Sequence, residues 1–407
     1  MSTKCQATSA FQAQDLAPPD VQFDVTRRFL ADNDDNKINL GQGTYRDENG
    51  RPWVLPSVKM AKASLDEFNH EYLPILGFQP FRDEASRLLY KGTRALNEDT
   101  IASCQSLSGS GALLLVTLAL KKLQSAPDTI YITDPTWVNH HLMFSIIGYK
   151  VEILPCYRDG AFDFDAYTAS LRQAKAGSPV VLHTCAHNPT GCDPTKEQWK
   201  LIGSIIKENK LFPIFDSAYL GFNSGSFDED AWPIRYFMEV LSVELAVCLS
   251  MAKSMGLYGE RIGLVSFATL ARESSQIAES VLQSVQRSTI TAPPAYGARV
   301  ATAVLSTPSI REQWQKDLVT MSSRIRLMRK RAYEELVRLQ TPGDWSCIIN
   351  QTGMFAFLGI SKTQIKHLER KHHIFMVETS RLSIAGLNEH NVRRFAEALD
   401  ETVRHVR

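Results

Sequence analysis

Two charged residues, a lysine and an aspartate, follow predicted β-strands. Asp216 comes directly after the apolar run Leu211–Phe215, and Lys253 follows the run Leu245–Leu249. A lysine in a desolvated pocket can lose its proton near neutral pH and attack carbonyl groups as an amine. A buried carboxylate needs a cationic partner, since an unpaired charge is costly to bury. Taken singly, Asp216 could also cap a turn, and Lys253 could be an ordinary surface lysine.

A cluster of small residues, Ser108–Ala112, opens an apolar helix that is predicted to run to about Leu123. Small residues ahead of a helix let backbone N–H groups and hydroxyls approach a phosphate, and the helix dipole favours its negative charge. The cluster also resembles a dinucleotide-binding fingerprint, because Asp134 ends the next strand, although Leu114 stands where the third glycine belongs. A glycine-rich turn without a ligand is the third interpretation, since the segment before Ser108 is a poor match to a strand.

The segment His183–Gly191 lies at the end of another predicted strand. Its H-x-C-x-H start could suggest a metal site, but no fourth ligand with zinc spacing follows except Cys192. The Asn188-Pro-Thr-Gly part is typical of a turn. We therefore predict that no metal ion binds here.

The elements that must position these residues alternate along the chain between about residues 105 and 290. Amphipathic segments such as Phe164–Ala174 and Lys196–Lys210 separate the apolar runs. Strands separated by helices of this length predict an α/β fold with a mostly parallel, doubly covered sheet, whose chemistry collects at the carboxyl ends of the strands. The predicted strands are Thr129–Thr133, Lys150–Cys156, Pro179–Thr184, Leu211–Phe215, Leu245–Leu249 and Gly263–Phe267.

The last third of the chain has a different pattern, which predicts a smaller α+β unit. One long helix is predicted over Pro308–Leu339, with Arg329 and its basic neighbours on the solvated side. The elements predicted after it are a strand at Met354–Leu358, a helix at Lys362–Lys371, short strands near Phe375 and Leu382, and a closing helix at Glu389–Val406.

Composition argues against several classes of function. The 407 residues carry 45 Lys+Arg against 44 Asp+Glu, so the charge balance indicates no surface for nucleic acid. Seven scattered cysteines without a C-x-x-C pair argue against a disulfide framework. The most apolar stretch, residues 111–120, is too short to span a bilayer, and the amino terminus matches neither a signal peptide nor a presequence. We therefore expect a cytoplasmic protein without a membrane partner.

The order of the motifs is more informative than any one of them. A small-residue loop, Asn-Pro-x-Gly, Asp-x-x-Tyr and Ser-x-x-Lys with a trailing arginine each follow a predicted strand. Together they resemble the fold-type-I pyridoxal-phosphate enzymes, and within these the aspartate aminotransferase family. The likeness covers nearly the whole chain, from Lys37–Gly43 through Tyr72-Leu-Pro-Ile and residues 134–140 to residues 351–355 and Arg381.

This resemblance implies a particular division of the chain. A large pyridoxal-phosphate-binding domain is expected over residues 53–317, after an amino-terminal arm of residues 1–20. A smaller α+β domain built from both chain ends is expected over residues 21–52 and 318–407. The resemblance also implies a homodimer with shared active sites, in which Tyr72 and Arg287 serve the neighbouring subunit.

The resemblance implies catalytic roles for three residues. Lys253 would form the internal aldimine and later move the proton of the substrate, Asp216 would keep the pyridinium nitrogen protonated, and Tyr219 would hydrogen-bond the ring oxygen. His183 is implied to be a partner of Asp216. The implied cofactor-binding residues are Ser108, Gly109, Ser110, Trp137, His183, Asn188, Asp216, Tyr219, Ser250, Lys253, Arg261 and Tyr72.

The implied activity is transfer of an amino group between a dicarboxylic L-amino acid and a 2-oxo acid. Arg381 would bind the α-carboxylate bidentately, and Arg287 would bind the distal carboxylate, although Arg287 could instead be an exposed arginine at a helix end. The implied substrate contacts are Arg381, Arg287, Gly43, Asn188, Trp137, Gln22 and Gln42.

Gln22 and Gln42 depart from the family pattern, which places aliphatic residues at these positions. Two amides on one wall indicate a wetter pocket or a substrate with an additional polar group, unless Gln22 is simply exposed. A diverged enzyme is therefore an alternative, with the same cofactor used for elimination, replacement or carbon–carbon bond formation on a larger or more polar amino acid. A catalytically silent binding protein is a further alternative.

Overall fold

Helices and strands alternate through most of the chain in the computed structural model, which describes residues 20–123 and 127–406. The predicted amino-terminal arm, residues 1–20, lies outside the described residues except for Asp20. The strands are β1 (Ile38–Asn39), β2 (Ile101–Leu107), β3 (Thr129–Asp134), β4 (Lys150–Pro155), β5 (Tyr157–Arg158), β6 (Ala161–Phe162), β7 (Pro179–His183), β8 (Phe212–Ser217), β9 (Leu245–Ser250), β10 (Ile262–Ala268), β11 (Phe355–Phe357), β12 (Ile374–Phe375) and β13 (Arg381–Ser383).

The helices cover the sheets and connect the strands. They are α1 (Val21–Ala31), α2 (Pro56–Ala63), α3 (Gln79–Leu89), α4 (Arg94–Asn97), α5 (Ser108–Leu123), α6 (Val138–Ile147), α7 (Phe164–Arg172), α8 (Lys196–Glu208), α9 (Phe227–Asp230), α10 (Trp232–Glu239), α11 (Arg272–Thr289), α12 (Tyr296–Ser306), α13 (Pro308–Leu339), α14 (Cys347–Asn350), α15 (Lys362–His372) and α16 (Val392–His405). Among the described residues, no helix combines the length and the apolar character that crossing a membrane requires.

A seven-stranded sheet forms the centre of the molecule, in the order β2-β10-β9-β8-β7-β3-β4. β10 runs antiparallel to both of its neighbours, whereas β9, β8, β7, β3 and β4 pair in parallel. The prediction of a mostly parallel α/β sheet is confirmed. In this arrangement β7, β8 and β9 lie side by side, so the residues at their carboxyl ends meet at one edge of the sheet.

One strand of the seven-stranded sheet was missed in the sequence. The segment before Ser108 is β2, a seven-residue strand whose inner five residues are buried. Its polar residues made it a poor match to a strand, but tertiary partners satisfy them. The Gln105 side chain accepts a hydrogen bond from Phe78 N at 2.9 Å and donates one to Pro294 O at 2.8 Å.

Both faces of the sheet are covered, and alternation along the strands explains why. In β9, Ala246 and Cys248 belong to one hydrophobic cluster, whereas Val247 and Leu249 belong to another. Successive side chains of a strand point to opposite faces, so the two clusters lie on opposite sides of the sheet. Because both faces are buried, these strands are continuous apolar runs in the sequence, whereas a half-exposed strand alternates apolar and polar residues.

The carboxyl-terminal strands form two small pairs, one with an amino-terminal strand and one among themselves. β1 pairs in parallel with β12, and β11 pairs antiparallel with β13. The long helix α13 is confirmed at its predicted bounds. It packs against α2 and α12, which precede it in the chain, and against α14 and α16, which follow it. The predicted solvated position of Arg329 is wrong: its guanidinium is buried and donates to the backbone carbonyls of the segment 348–355.

Candidate active site

A cavity of about 530 Å³ opens at the carboxyl ends of the central strands. Fifteen of the seventeen residues predicted for the site line it: Gln22, Gln42, Gly43, Ser108, Gly109, Ser110, Trp137, His183, Asn188, Asp216, Tyr219, Ser250, Lys253, Arg261 and Arg381. The sequence analysis had assigned no role to five further lining residues, namely Phe23, Thr44, Ala218, Tyr258 and Phe355. Motifs that are more than 300 residues apart in the chain therefore meet in one cavity.

One end of the cavity is suited to an anion. The 16-residue helix α5 begins at Ser108, whose hydroxyl lies 2.7 Å from that of Ser250. A Cβ on Gly263 would meet Leu249 O at 2.4 Å and Ser108 Cα at 2.8 Å, so glycine is required where β10 passes this turn. Backbone N–H groups at the start of α5, two serine hydroxyls and the guanidinium of Arg261 therefore converge there, which is the donor set that binds phosphate.

Asp216 is a buried carboxylate near the end of β8, and a histidine holds it. The Nε2 atom of His140 lies 3.1 Å from Asp216 Oδ2, and Thr136 Oγ1 lies 2.9 Å from the other ring nitrogen of His140. Burial alone would raise the pKa of Asp216, but the hydrogen bond from His140 and the nearby charges lower it overall. The carboxylate is therefore ionised at neutral pH and can face a cationic group.

The partner of Asp216 is a correction to the sequence analysis, which had given this role to His183. His183 is next to Asp216 in the sheet register, but neither of its buried ring nitrogens has a hydrogen-bond partner in the part of the chain that the structure describes. Its ring instead lies 5.3 Å from that of His140 and 4.3 Å from that of His187. Burial lowers the pKa of His183 to about 4, so the ring is neutral. The spacing of His140 after Asp134-Pro was part of the family resemblance and could have identified it.

These groups also bear on the predicted absence of a metal. His140, His183 and Asp216 are all buried and offer ligand atoms within 4.8 Å of one another, whereas Cys185 is not part of this group. His187, the last residue of the H-x-C-x-H motif, lies 3.0 Å from Thr133 Oγ1 and 2.8 Å from Thr190 Oγ1 through its two ring nitrogens. The motif therefore does not converge on one point.

Lys253 lies beyond β9 and shares the cavity with Asp216. Burial lowers the pKa of its ammonium to about 8; Asp216 opposes this shift, whereas Arg261 and Arg381 add to it. The Nζ atom lies 5.5 Å from the centre of the Tyr219 ring. Burial also raises the pKa of the Tyr219 phenol, so that side chain is a neutral hydrogen-bond donor. A fraction of Lys253 is consequently an uncharged amine near neutral pH.

Arg381 is a buried guanidinium at the start of β13. It donates to Gly41 O at 2.8 Å and to Asn188 Oδ1 at 3.4 Å, and its Cζ lies 4.2 Å from the centre of the Phe355 ring. Burial lowers its pKa to about 10. Within residues 20–123 and 127–406 no carboxylate forms an ion pair with it. A buried cation without an anion is costly, so this position is suited to an anionic ligand.

Two amides form the wall near α1. Gln42 Nε2 donates to Thr26 Oγ1 at 2.7 Å, which ties the loop before Gly43 to the helix. Gln22 is half-buried and lines the cavity, so it is not simply exposed. The side chain of Asp20 caps the helix by accepting from Gln22 N and Phe23 N, both at 2.9 Å.

Two predicted residues lie outside the cavity of their own chain. Tyr72 is 84% exposed, and Arg287 is exposed near the end of α11. Neither one lines the cavity, so the described chain brings them to no site of its own.

Comparison with known proteins adds independent findings. A family model described as "Aminotransferase class I and II" matches residues 35–399. The chain is 42% identical to the cytoplasmic aspartate aminotransferase of Saccharomyces cerevisiae over 98% of each chain. The solved structure of the cytoplasmic aspartate aminotransferase from that yeast is similar with a TM-score of 0.94, at 41% identity, over 98% of this chain and 99% of the other. An aromatic-amino-acid aminotransferase from Burkholderia pseudomallei, solved covalently bound to pyridoxal phosphate, is similar with a TM-score of 0.92 at 33% identity, over 97% of this chain and 100% of the other.

Proposed function

Because this chain belongs to the class I and II aminotransferases, and within fold type I to the aspartate aminotransferase family, we propose that its cavity takes dicarboxylic L-amino acids. The protein is a pyridoxal-phosphate-dependent transaminase, and its substrates are amino acids and 2-oxo acids. The S. cerevisiae relative is named cytoplasmic, in agreement with the predicted location. One observation carries the binding of an amino acid: the buried guanidinium of Arg381 lines the cavity, and no carboxylate of the described residues pairs with it. The preference for dicarboxylic substrates rests on the relatives named aspartate aminotransferase.

The residues of the cavity fit pyridoxal phosphate. The start of α5 with Ser108, Ser250 and Arg261 offers donors for a phosphate, and the ionised Asp216 offers an acceptor for a protonated ring nitrogen. His183 is neutral and forms no side-chain hydrogen bond among the described residues, so it does not neutralise the charge on Asp216. When bound, pyridoxal phosphate supplies an aldehyde that condenses with amines and a cationic ring that accepts the electrons of a C–H bond.

Lys253 and Asp216 supply the two proton-related functions. The partly deprotonated amine of Lys253 would hold the cofactor through its aldehyde, and with a substrate bound Lys253 Nζ would serve as the base for the proton of the substrate α-carbon. Asp216 would accept from a protonated ring nitrogen, since its ionised form is stabilised by His140. Tyr219 would donate to the ring oxygen, and Trp137, which lines the cavity at the N-cap of α6, would contact the ring.

Arg381 orients the substrate. Its planar guanidinium binds the α-carboxylate through two parallel hydrogen bonds, with Asn188 at its side. Fixing the carboxylate in this plane leaves the C–H bond as the one that Lys253 can reach. Gly43 lets its loop pass close to Phe355 at this wall, since a Cβ there would lie 3.0 Å from the Phe355 ring.

A second subunit completes the site in this proposal. Tyr72 and Arg287 are exposed and lie off the cavity of their own chain, as expected of residues that serve the neighbouring subunit of a homodimer. Arg287 would bind the distal carboxylate of the substrate and Tyr72 the phosphate of the cofactor.

The division into domains follows the strand pairs. Residues 21–52 join residues 318–407 as the small domain, because β1 pairs with β12 and Ser383 N donates to Leu40 O at 2.7 Å. Residues 53–317 form the large domain, which contains the seven-stranded sheet. The boundary near residue 318 lies within α13, so that helix connects the two domains.

A half-reaction tests the assigned function. The pyridoxal-phosphate-loaded protein is mixed with L-aspartate, L-glutamate, L-phenylalanine or L-alanine, and the cofactor absorbance and the 2-oxo acid are followed. We expect rapid conversion with the two dicarboxylic amino acids and at least about 100-fold slower conversion with L-alanine, which lacks a distal carboxylate. Equal rates with all four would contradict the proposed specificity, and borohydride labelling of a residue other than Lys253 would contradict the assigned lysine.

Hybrid dimers test the shared site. Subunits carrying Lys253→Ala are mixed with subunits carrying Arg287→Ala, after each variant alone has been shown to be nearly inactive on L-aspartate. A hybrid has one site with Lys253 from one chain and Arg287 from the other, so activity should reappear on mixing. A mixture that dimerises but stays as inactive as its components would contradict the shared site.

A second candidate function is a reaction on a more polar amino acid. It is favoured by one observation, namely that Gln22 and Gln42 both line the cavity. An amide wall offers hydrogen bonds that the side chain of aspartate does not need. Adding L-asparagine and L-glutamine to the half-reaction panel separates the two candidate functions. If the second one is right, the cofactor should be converted faster with one of these amides than with L-aspartate.

A further inference from the structure

A cluster of metal-ligating side chains lies far from the cavity, between the last two helices of the chain. His367 and His372 belong to α15, and Glu401 belongs to α16. Their Nε2, Nε2 and Oε2 atoms all lie within 4.8 Å of one another. The two imidazoles converge on a single carboxylate oxygen, at 3.1 Å from His367 and 2.9 Å from His372.

These separations are close to those of metal ligands. In a tetrahedral zinc site with bonds of about 2.0–2.2 Å, two ligand atoms lie roughly 3.3 Å apart. To admit an ion, the nitrogens of His367 and His372 would move away from the carboxylate oxygen by roughly 0.2 and 0.4 Å, and the ligand atoms of the cluster lie within 4.8 Å of one another. The three side chains are 21–29% exposed, so an ion can enter from solvent and keep water in its remaining position.

The donor set indicates which metals fit. Two imidazole nitrogens and one carboxylate oxygen suit zinc and its neighbours in the late first row, whereas calcium and magnesium prefer oxygen ligands throughout. We propose that His367, His372 and Glu401 bind a divalent late first-row metal ion, of which Zn²⁺ is the probe, and that the ion joins α15 to α16.

The hydrogen bonds of the cluster leave the ligand atoms available. Glu401 Oε2 can only accept, so each histidine now carries its proton on Nε2; on metal binding that proton leaves or moves to Nδ1. The Nδ1 atoms of His367 and His372 form no hydrogen bond within the described residues, so they can carry it. Lys371 Nζ occupies the other carboxylate oxygen, Oε1, at 2.7 Å and leaves Oε2 to the ion.

Substitution of Lys371 distinguishes a metal site from a cluster that only stabilises the fold. Its ammonium, 54% exposed, is a like charge next to the ion and a competitor for the carboxylate. Lys371→Gln should therefore increase zinc affinity several-fold, whereas loss of a salt bridge alone would have no such effect. Among the described residues, the other group of this kind, His140 with His183 and Asp216, is buried in the cofactor site.

The experiment uses the full chain without an affinity tag, loaded with pyridoxal phosphate. Zn²⁺ is titrated by calorimetry, and Co²⁺ is added in parallel because its visible absorption reports tetrahedral nitrogen and oxygen ligands. We expect one ion per chain, a higher unfolding temperature with Zn²⁺, and an affinity that falls by at least about 10-fold in both H367Q and H372Q. His390→Gln, an exposed histidine outside the cluster, is the control and should bind as the wild type does.

Three outcomes would overturn the proposal. The first is a wild-type protein that does not bind one zinc ion per chain. The second is zinc binding whose affinity is unchanged in H367Q and H372Q. The third is a tetrahedral Co²⁺ signal that persists in Glu401→Gln together with an unchanged affinity in Lys371→Gln. Circular dichroism establishes that each variant is folded, and Lys371→Gln, which keeps all three ligands, decides the matter if a ligand variant does not fold.

Discussion

Two buried arginines in the carboxyl-terminal part of the chain differ in what they contact. Arg329, 3% exposed on α13, donates from its terminal nitrogens to the carbonyl oxygens of Ile348, Thr352, Gly353 and Phe355. Arg381, 4% exposed, has one carbonyl, Gly41 O, and one long contact to an amide. Burial lowers the pKa of each to about 10, so solvent exclusion is similar at both.

The difference lies in the number of hydrogen bonds that the rest of the chain supplies. Arg329 has four carbonyl acceptors for its two terminal nitrogens, while its Nε is without a partner among the described residues. Arg381 lines the cavity and has one carbonyl and one long amide contact, and its Nε also has no partner within residues 20–123 and 127–406. Burial alone therefore does not mark a functional cation; a buried cation at a cavity with few acceptors from its own chain does. The two regions touch through Phe355, whose carbonyl binds Arg329 and whose ring packs on Arg381.

The largest effect is expected for Arg381→Lys. The ammonium keeps the charge but cannot bind a carboxylate through two parallel bonds, so kcat/KM for L-aspartate should fall about 1,000-fold, equivalent to about 4 kcal/mol. The measurement is steady-state transamination by the cofactor-loaded protein, with the cofactor absorbance showing that loading is complete. A fall of less than about 10-fold would mean that Arg381 is not the carboxylate anchor.

The opposite effect is expected for Arg329→Met. Four carbonyls, three of them in buried hydrogen bonds, lose their donor, so the free energy of unfolding should fall by about 4 kcal/mol, while the activity of the folded fraction changes little. The matched control is Arg381→Met, which leaves one carbonyl and one amide without a donor and should cost about 1 kcal/mol or less. Urea unfolding measures both. Equal losses of stability would remove the distinction between the two arginines.

His183 extends the comparison to pH. Burial lowers its pKa to about 4, below the value near 6.5 of the unfolded chain. As the pH falls below about 6.5, the unfolded state takes up a proton that the folded state does not, so stability present at neutral pH is lost. Between pH 7 and pH 5 this amounts to about 2 kcal/mol.

His183→Phe should remove that part of the pH dependence. The variant is expected to lose about 2 kcal/mol less than the wild type between pH 7 and pH 5, as measured by urea unfolding at both values. His390→Gln, at an exposed position, should follow the wild type. A variant whose stability falls with pH as steeply as that of the wild type would show that His183 is protonated in the folded state.

The sequence was informative where the burial of an element determines its pattern of apolar residues. The strands β7, β8 and β9 were found because both of their faces are buried, and the long helix was found at its observed bounds. β2 was missed because tertiary partners, and not apolar side chains, account for its burial. Arg329 was misplaced for a related reason, since nothing local reveals four carbonyls that arrive from residues 348–355.

The site was predictable to the extent that single residues carry the chemistry. Lys253, Asp216 and Arg381 were placed in one cavity by motif order and resemblance, and the structure brings them together there. The partner of Asp216 was not, because His183 is its neighbour in the sheet register, whereas the hydrogen bond to His140 depends on side-chain orientation. The roles of Tyr72 and Arg287 depend on a second chain and remain predictions.

The smallest effect is expected at the wall of the cavity, and it tests whether unused hydrogen-bond donors matter there as they do at Arg381. Gln42→Val removes an amide that faces the substrate and restores the aliphatic character typical of the family. We expect kcat/KM for L-aspartate to rise by about 3-fold and that for L-asparagine to fall by a similar factor, since one uncharged hydrogen bond contributes about 1 kcal/mol.

Thr26→Val is the matched control, because it removes the 2.7 Å hydrogen bond of Gln42 but leaves the amide in the wall. If Gln42 acts on the substrate, Thr26→Val should keep the wild-type preference. If Thr26→Val reproduces Gln42→Val, the amide serves only to hold α1, and the polar wall says nothing about the substrate.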